Sequence, residues 1–513
     1  ATIVDDGSGP GPDPDDDRPN VTITDAGTIN EGETANFKVT LSNASESSVQ
    51  VELGLNLGDT EAGDLGTLEY NTGSGWVTVP NDGVVTVPAG QTEFDVRIAS
   101  VDDAVYEGPE DFSVTVTGIG AVQGSDTGTA TIVDDGSGPG PDPDDDRPVV
   151  TAISDTTVNE GEPATLVVTL SNLSTTDTLV NMALNDGTAE GGVDYTKSSV
   201  TVTYADSSSD VIPVNPDGTF NVSVPAGDMT FDVVISTTDD ELFESDENFT
   251  LIGQTEIQTT PVTGTVTILD NDTVSVASIS SEVVNEGEPI IFDVTLSNPS
   301  DSESLVNMVL ADGSAEGGID YINTSVTVTY ADNSTDVITV NANGTFDVSV
   351  PANDVSFSVT VNTIDDDLFE GAETLTLSGK TATQITSAMG TGTLLDDGSG
   401  PGPDPDDDRP TVAAITSTTV NEGDIATLDV TLSNESTTNT TVNMMLTDGS
   451  AEGGVDYTDT SVTITYESGG IEVVTVNPDG SFIVDVPAND TTYSVSVSTT
   501  DDDLFEGPET FTL

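Results

Sequence analysis

The sequence predicts an all-β protein: tandem antiparallel β-sandwiches of immunoglobulin-like type, arranged as beads on a rod. Three observations carry this reading. Val, Ile, Leu and Phe alternate with Thr and Ser, with no apolar stretch at helical spacing long enough for a helix. Gly (49) and Pro (26) are frequent among the 513 residues, which suits short strands joined by tight turns. One acidic, turn-rich pattern also returns four times along the chain.

The charge balance narrows the function. With 93 Asp plus Glu against 7 Lys plus Arg, the formal net charge is −86, which excludes nucleic acid and anionic membrane as direct partners. Cys and His are both absent, removing disulfides, thiol nucleophiles, thiolate or imidazole zinc sites and every imidazole relay. No catalytic residue is expected and the chain reads as a non-enzyme. No apolar run approaches the roughly 18 to 20 residues that span a bilayer, so no membrane insertion is expected in this segment. No signal segment opens the chain, and its start at Ala1 suggests a fragment or a processed form. A hydrophobic content of 34% argues against an unfolded polyanion.

The repeats fix the domain organisation. ATIVDDGSGPGPDPDDDRP stands at residues 1–19 and again at 130–148, and a shorter copy runs from Asp396 to Pro410. An Asn-Glu-Gly turn followed by a strand ending VTLSN recurs, with its Asn at Asn30, Asn159, Asn285 and Asn421. The expected division is a closing strand of a preceding repeat plus Asp/Pro spacer (1–19), a first body (20–135), a spacer (136–148), a second body (149–272), a third (273–397), a spacer (398–410), and a fourth body (411–513) lacking its final strand. The third body has no spacer before it, because Asp270, Asn271 and Asp272 lead directly into Thr273 and Val274. Strand signals include Phe37, Val39 and Leu41, then Phe112, Val114 and Val116; in the second body Val200, Val202 and Tyr204 are followed by a turn at Asn215 to Gly218, then Phe220, Val222 and Val224. About seven short strands per body suits a sandwich.

Each body carries an acidic motif of the form DDxxxExxE: Asp102, Asp103, Glu107 and Glu110; Asp239, Asp240, Glu244 and Glu247; Asp365, Asp366, Glu370 and Glu373; Asp501, Asp502, Glu506 and Glu509. The aromatic before the first Glu (Tyr106, Phe243, Phe369, Phe505) is expected to anchor the loop in the core. So many like charges repel unless a hard cation accepts them, and Ca²⁺, which takes six to eight oxygen ligands, suits the pattern better than Mg²⁺. A solvated acidic loop is the bland alternative, weakened by fourfold recurrence. A glycosidase carboxylate pair is disfavoured, since one chain rarely needs four catalytic pairs and a single Trp (Trp76) offers little sugar-binding surface.

Together, the VNEGE turns, DGTAEGGVDY at Asp186 to Tyr195, VPA before a strand (Val224, Val350, Val486) and the TDDxLFExxE loops resemble the Calx-β domain, a calcium-binding β-sandwich. The resemblance covers all four bodies. It implies several Ca²⁺ ions per body, held by the Glu of the first turn, the Asp of the DY pair, the DDxxxExxE loop and the acidic run ending the last strand. Carried over, the first body supplies Glu31, Asp64, Asp102, Asp103, Glu107, Glu110, Asp134 and Asp135; Asp64 is a shifted match, followed by Leu65 where the others have Tyr. The second supplies Glu160, Asp194, Asp239, Asp240, Glu244, Glu247, Asp270 and Asp272. The third supplies Glu286, Asp320, Asp365, Asp366, Glu370, Glu373, Asp396 and Asp397. The fourth supplies Glu422, Asp456, Asp501, Asp502, Glu506 and Glu509, and Asp5 and Asp6 match a terminal acidic pair. Tyr195, Tyr321 and Tyr457 read as core packing.

The spacer, rich in Asp with Pro139, Pro141 and Pro143 in alternation, is expected to be extended and stiffened toward polyproline II. Arg18, Arg147 and Arg409 at its end relieve charge locally or fix the angle between bodies by a salt bridge. Asp142, Asp144 and Asp146 begin like an EF-hand loop, but Arg147 stands where Gly is needed and Ile153 where the bidentate Glu belongs, so an EF-hand is rejected and a looser junction site stays open. The resemblance further implies extender regions of large secreted bacterial adhesins or surface fibres: a calcium-stabilised extracellular or cell-surface stalk. The alternatives are a ligand-binding adhesin module for glycan or protein, an accessory region of a secreted enzyme, or a calcium sensor. Neighbouring repeats are the expected partners, and because residues 1–6 form a closing strand without a body and the fourth body ends at Leu513 without one, the sequence reads as a window cut from a longer array or, alternatively, as a chain whose copies join by strand addition.

Overall fold

The computed structural model describes residues 1–12, 15–141, 143–403 and 405–513. The chain falls into two compact units, residues 1–240 with 245–271, and residues 241–244 with 272–513. The first unit holds two apolar cores, around Phe37 and Phe112 and around Tyr195 and Phe249; the second holds two more, around Phe292 and Tyr321 and around Tyr457 and Phe482.

The second core shows the common plan. One sheet orders Val150–Ile153, Pro163–Leu170, Thr230–Ser236, Ser199–Tyr204 and Ser209–Pro213, and the other orders Thr156–Asn159, Val262–Leu269, Glu247–Gln254, Thr178–Asp186 and Thr219–Val224. Every second residue points inward, so Ala164, Leu166, Val168 and Leu170 are buried while Thr165 and Val167 face out. Val150–Ile153 and Thr156–Asn159 are consecutive but lie in opposite sheets, the latter pairing in parallel with Val262–Leu269 while its neighbours pair antiparallel. Tyr195 is fully buried, stacks on Phe249 with ring centroids 3.9 Å apart, and donates its hydroxyl proton to Asp186 Oδ1 at 2.5 Å. Tyr321 and Tyr457 are buried likewise, as core packing requires, each bonded to an Asp. In the first body Leu65 fills the Tyr position, buried and bridged to Ser100 as Tyr195 is to Thr237.

Around the fourth core one sheet is whole, from Val412–Ile415 through Ile471–Thr475. The opposite side consists of two separate pairs, Thr440–Met445 with Ser481–Val486 and Thr447–Asp448 with Phe511–Thr512. Residues 418–421, which correspond to Thr156–Asn159, form no strand and pair in parallel with none of the described residues.

Two expectations are corrected. The spacers are not extended. Asp135 and Asp145 form an antiparallel bridge, Gly136 N–H donates to the Asp144 carbonyl and Asp146 N–H to the Asp134 carbonyl, both at 2.7 Å, so the segment folds back as a hairpin. The Pro run cannot hold the chain straight because Gly136 and Gly140 interrupt it at φ +71° and +116°, where glycine alone is comfortable. Asp397 and Asp407, and Asp6 and Asp16, form the same antiparallel bridge in the other two spacers. Arg18, Arg147 and Arg409 pair with Asp16, Asp145 and Asp407 of their own hairpins, which is local charge relief.

The loop aromatics are not core anchors either. Val105–Tyr106 instead pairs in parallel with Leu173–Ser174 of the next body, and Thr175 N–H donates to the Tyr106 carbonyl at 2.8 Å. In the second unit Phe243 and Phe369 make the equivalent bridges to Ser300 and Ser436, and Phe505 is fully exposed. The backbone of the loop is what docks, and the ring need not be buried. Phe249→Ala should therefore destabilise its body by about 3–5 kcal/mol, whereas Phe505→Ala should stay within about 0.5 kcal/mol, as read by thermal and denaturant melts.

Candidate metal centre

The parallel pairing builds the acidic end of each sandwich. Asn30 lies opposite Val133, Asn159 opposite Leu269, and Asn285 opposite Leu395, so the next residue on each paired strand is an acid: Glu31 with Asp134, Glu160 with Asp270, Glu286 with Asp396. The following glycines (Gly32, Gly161, Gly287, Gly423) sit at φ between +76° and +80°. A Cβ there would lie 2.8–2.9 Å from the Cβ of Asp102, Asp239, Asp365 or Asp501, so glycine lets the first acid of each DDxxxExxE loop close onto the turn. The second acid is held by its backbone: Asp103 N–H donates to Glu31 Oε1 at 3.3 Å, Asp240 to Glu160 at 2.8 Å and Asp502 to Glu422 at 3.1 Å.

The acids gather into two neighbouring groups in the first body. Glu31, Asp144 and Asp146 offer oxygens within 4.8 Å of one another, as do Asp64, Glu107 and Glu110. Asp64 thus joins its loop despite the shifted motif. Asp134 stands with both groups: it is 2% exposed, its Oδ2 accepts from Glu107 N–H at 2.8 Å, and its Oδ1 finds no donor. In the third body Glu286, Asp406 and Asp408 form the first group, and a small cavity lined by Glu286, Asp320, Glu370, Glu373 and Asp396 contains the second. Asp396 Oδ2 accepts from Glu370 N–H at 2.6 Å, Asp320 Oδ2 accepts from Glu316 N–H at 2.5 Å, and the remaining oxygen of each is buried without a donor. Within the first unit, Glu160 lies against Asp270 and Asp194 against Glu247, and Asp239 accepts from Asn271. Glu244 and Asp272 belong to the second unit, where Asp272 accepts from Asn298 at 3.2 Å. In the fourth body Glu422, Asp501, Asp502, Glu506 and Glu509 are exposed, with Glu506 and Glu509 turned toward half-buried Asp456.

Two pairs of predicted ligands lie elsewhere. Asp135 and Asp397 are turned to their own spacers, where each accepts from Ser137 or Ser399 N–H at 2.9 Å. Asp5 and Asp6 lie in the first spacer hairpin, with Asp6 bonded to Ser8. Asp144 and Asp146, and Asp406 and Asp408, stand instead beside Glu31 and Glu286. The register shows why: Val150 and Val276 pair alike with Leu170 and Leu296, which aligns Asp144 to Asp146 with Asp270 to Asp272. The spacer is an insertion into that acidic triplet. Asp142, the first acid of the rejected EF-hand reading, lies outside the described residues.

These groups strain against one another. Unit charges about 5 Å apart repel by about 3 kcal/mol at an effective dielectric near 20. Burial first, then neighbouring carboxylates, raises Glu31 and Glu286 to about 8, Glu107, Glu110 and Glu370 to about 7, and Glu373 to about 8. Asp146 and Asp408 are pushed up to about 6 for the same reasons. A donor set made only of oxygens, with buried carboxylate oxygens that meet no N–H or O–H, fits a hard divalent cation.

The Calx-beta domain model matches residues 14–136, 144–217, 219–272, 270–349 and 406–477. Among solved structures, calcium binding domain CBD12 of CALX1.1 is 15% identical, covering 45% of this chain and 80% of its own, with a TM-score of 0.19. The apo-form Calx CBD1 domain is 22% identical, covering 24% and 96%, with a TM-score of 0.17. The titin I9-I11 tandem is 12% identical, covering 74% and 97%, with a TM-score of 0.15. No curated protein matches the chain.

Because the folded chain holds protons on Glu31, Glu286 and their neighbours up to pH 7–8 while an unfolded Glu loses its proton near pH 4.3, their stabilising contribution is complete at low pH and lost as pH rises through about 7–8. In chelator the chain should therefore melt lower at pH 8 than at pH 5.5, and calcium should remove that slope. Equal melting temperatures at the two pH values in chelator would contradict the clustering.

Proposed function

The chain belongs to the Calx-beta family, and we propose that it is a calcium-stabilised structural repeat array, serving as part of an extracellular stalk or fibre in cell-surface adhesion or a biofilm matrix. The observation that carries this reading is the gathering of acids where one body meets the next. Glu31, Asp64, Glu107, Glu110 and Asp134 come from four separate segments of one sandwich, and the loop between Asp103 and Glu107 is the segment that pairs with Leu173–Ser174 of the following body. In the second unit the Glu370 loop pairs with the fourth body through Phe369 and Ser436 in the same way. Calcium, when bound, supplies the positive charge that lets these carboxylates share one end of a sandwich.

The chain's own residues do the rest. Asp134 and Asp396 tie the end of the closing strand to the acidic loop by accepting from Glu107 and Glu370 N–H. Asn172 and Asn434, from the VTLSN strand ends, donate to the Asp146 and Asp408 carbonyls and seat the next body on the acidic end of the last. A cation that fixes the loop would thereby fix the junction, as a load-carrying array needs. The lack of Cys suits a structure stabilised by ions rather than disulfides, and the net charge of −86 opposes lateral association of copies. No residue is assigned a catalytic role, and the proposed setting is bacterial. Neighbouring bodies are the proposed partners, as are other copies of the chain by strand addition.

Calcium, and not magnesium, should raise the melting temperature, since ligand at a hundredfold excess over Kd stabilises the folded state by about 2.7 kcal/mol. Asp239→Asn with Asp240→Asn should remove that gain from the second body alone. Calorimetric traces unaltered by excess chelator would refute the calcium reading.

A further inference from the structure

We propose that the Asp/Pro spacer is a cation-held clip: Asp144 and Asp146 return to the body they have just left and complete a divalent-cation site with Glu31 and Asp134, as Asp406 and Asp408 do with Glu286 and Asp396. The proposal rests on the calcium reading above and deepens it. It assigns to the spacer, rather than to the sandwich, the ligands that distinguish these two junctions.

Three independent observations point to it. The spacer acids and Glu31 or Glu286 bring oxygens within 4.8 Å of one another across a long stretch of sequence. Asp134 and Asp396, each 2% exposed, stand beside those groups with one carboxylate oxygen that meets no donor, a costly arrangement for a buried charge unless a cation faces it. The third observation is a clamp present only where the spacer is. Asn30 Nδ2 donates to the Pro139 carbonyl and Asn285 Nδ2 to the Pro401 carbonyl, both at 2.7 Å, and both Asn side chains are buried. A Cβ on Gly138 or Gly400 would stand 1.6 or 1.7 Å from the Oδ1 of that Asn. Asn159, whose body is followed directly by Asp270 to Asp272, is exposed and bonds instead to Glu162.

Charge decides what happens without the ion. Asp146 is opposed by Asp144, Asp134, Asp102 and Asp103, and Asp408 by Asp406, Asp367, Asp396 and Asp365, while the spacer arginines are already engaged with Asp145 and Asp407. Among the described residues, two backbone hydrogen bonds, the Asn30 or Asn285 clamp and the Asn172 or Asn434 bond to the Asp146 or Asp408 carbonyl hold each hairpin against that repulsion. On chelation the clip opens, and the ten inserted residues release on the order of 30 Å of chain at each spacer. The acidic triplet at Asp270 to Asp272 has no such reserve.

The full chain tests this by amide hydrogen exchange and calorimetric titration with calcium chloride. Gly136, Asp146, Gly398 and Asp408 amides should exchange about tenfold or more faster in chelator than in calcium, while core-strand amides such as those of Leu166 and Val233 should not change. Asp144→Asn with Asp146→Asn, and Asp406→Asn with Asp408→Asn, should each lose one ion while the other centres still fill. Wild-type chain that binds calcium with equal protection of those amides in calcium and chelator, or variants with wild-type stoichiometry, would overturn the clip alone. Wild-type chain that binds no calcium would overturn the proposed function as well.

Discussion

The parallel pairing of the short strand before each Asn-Glu-Gly turn with the strand that closes the same sandwich sets the chemistry of that end of the body. Because the two strands run the same way and stop in register, at Asn30 and Val133 or at Asn285 and Leu395, the acids that follow must leave side by side. The glycine after the Glu then admits the first Asp of the distant loop, and that loop's backbone binds the Glu. Four segments far apart in sequence meet because two main-chain constraints leave them no other place. The loop's remaining hydrogen-bonding edge is spent on the next body, so ligand geometry and junction geometry are one structure.

Charge opposes this convergence, and the apolar cores make it tolerable. Phe37, Phe112, Leu166, Phe249 and Phe292 are almost wholly buried in alternating strands, and this apolar burial is the stabilising contribution against which the repulsion at the acidic end is set. A domain is stable by only about 5–15 kcal/mol, so a few unrelieved carboxylate pairs are comparable to the whole. Two remedies are available to the fold: holding protons, as the raised Glu31, Glu107 and Glu110 do, or holding a cation. The buried, donorless oxygens of Asp134 and Asp396 favour the second, since protonation leaves a buried O–H that itself needs an acceptor.

Much of this was legible in the sequence. The period-2 alternation and fourfold repeat identify the sandwiches, because a strand's burial is written locally in every second residue. The DDxxxExxE loop was legible as a candidate metal site from its spacing, and the Glu of the turn and the Asp of the DY pair only through the resemblance to the Calx-β domain. Asp144, Asp146, Asp406 and Asp408 were not, because the Pro-rich run reads as extended, and only the hairpin bonds at Gly136 and Gly398 reveal that the chain returns. Aligning Asp144 to Asp146 with Asp270 to Asp272 by their distance to Val150 and Val276 was the available signal. The loop aromatics misled for a related reason: an aromatic among polar residues suggests a core anchor, whereas Tyr106 and Phe369 mark a backbone edge that pairs with another body.

The fourth body separates what the motif specifies from what its surroundings supply. Its turn, DY pair and DDxxxExxE loop are as complete as those of the second and third bodies, and Asp502 N–H still reaches Glu422. Yet residues 418–421 form no strand, and Glu422, Glu506 and Glu509 are exposed where Glu31 is buried and Glu107 and Glu110 half-buried. In the first and third bodies the closing strand pairs in parallel with the short strand before the turn, and the buried Asp134 or Asp396 that follows it ties the loop down. Motif residues alone therefore bring the acids near one another. In the first and third bodies the closing strand and the acids of the spacer hairpin enclose that cluster, leaving Asp134 and Asp396 almost wholly buried.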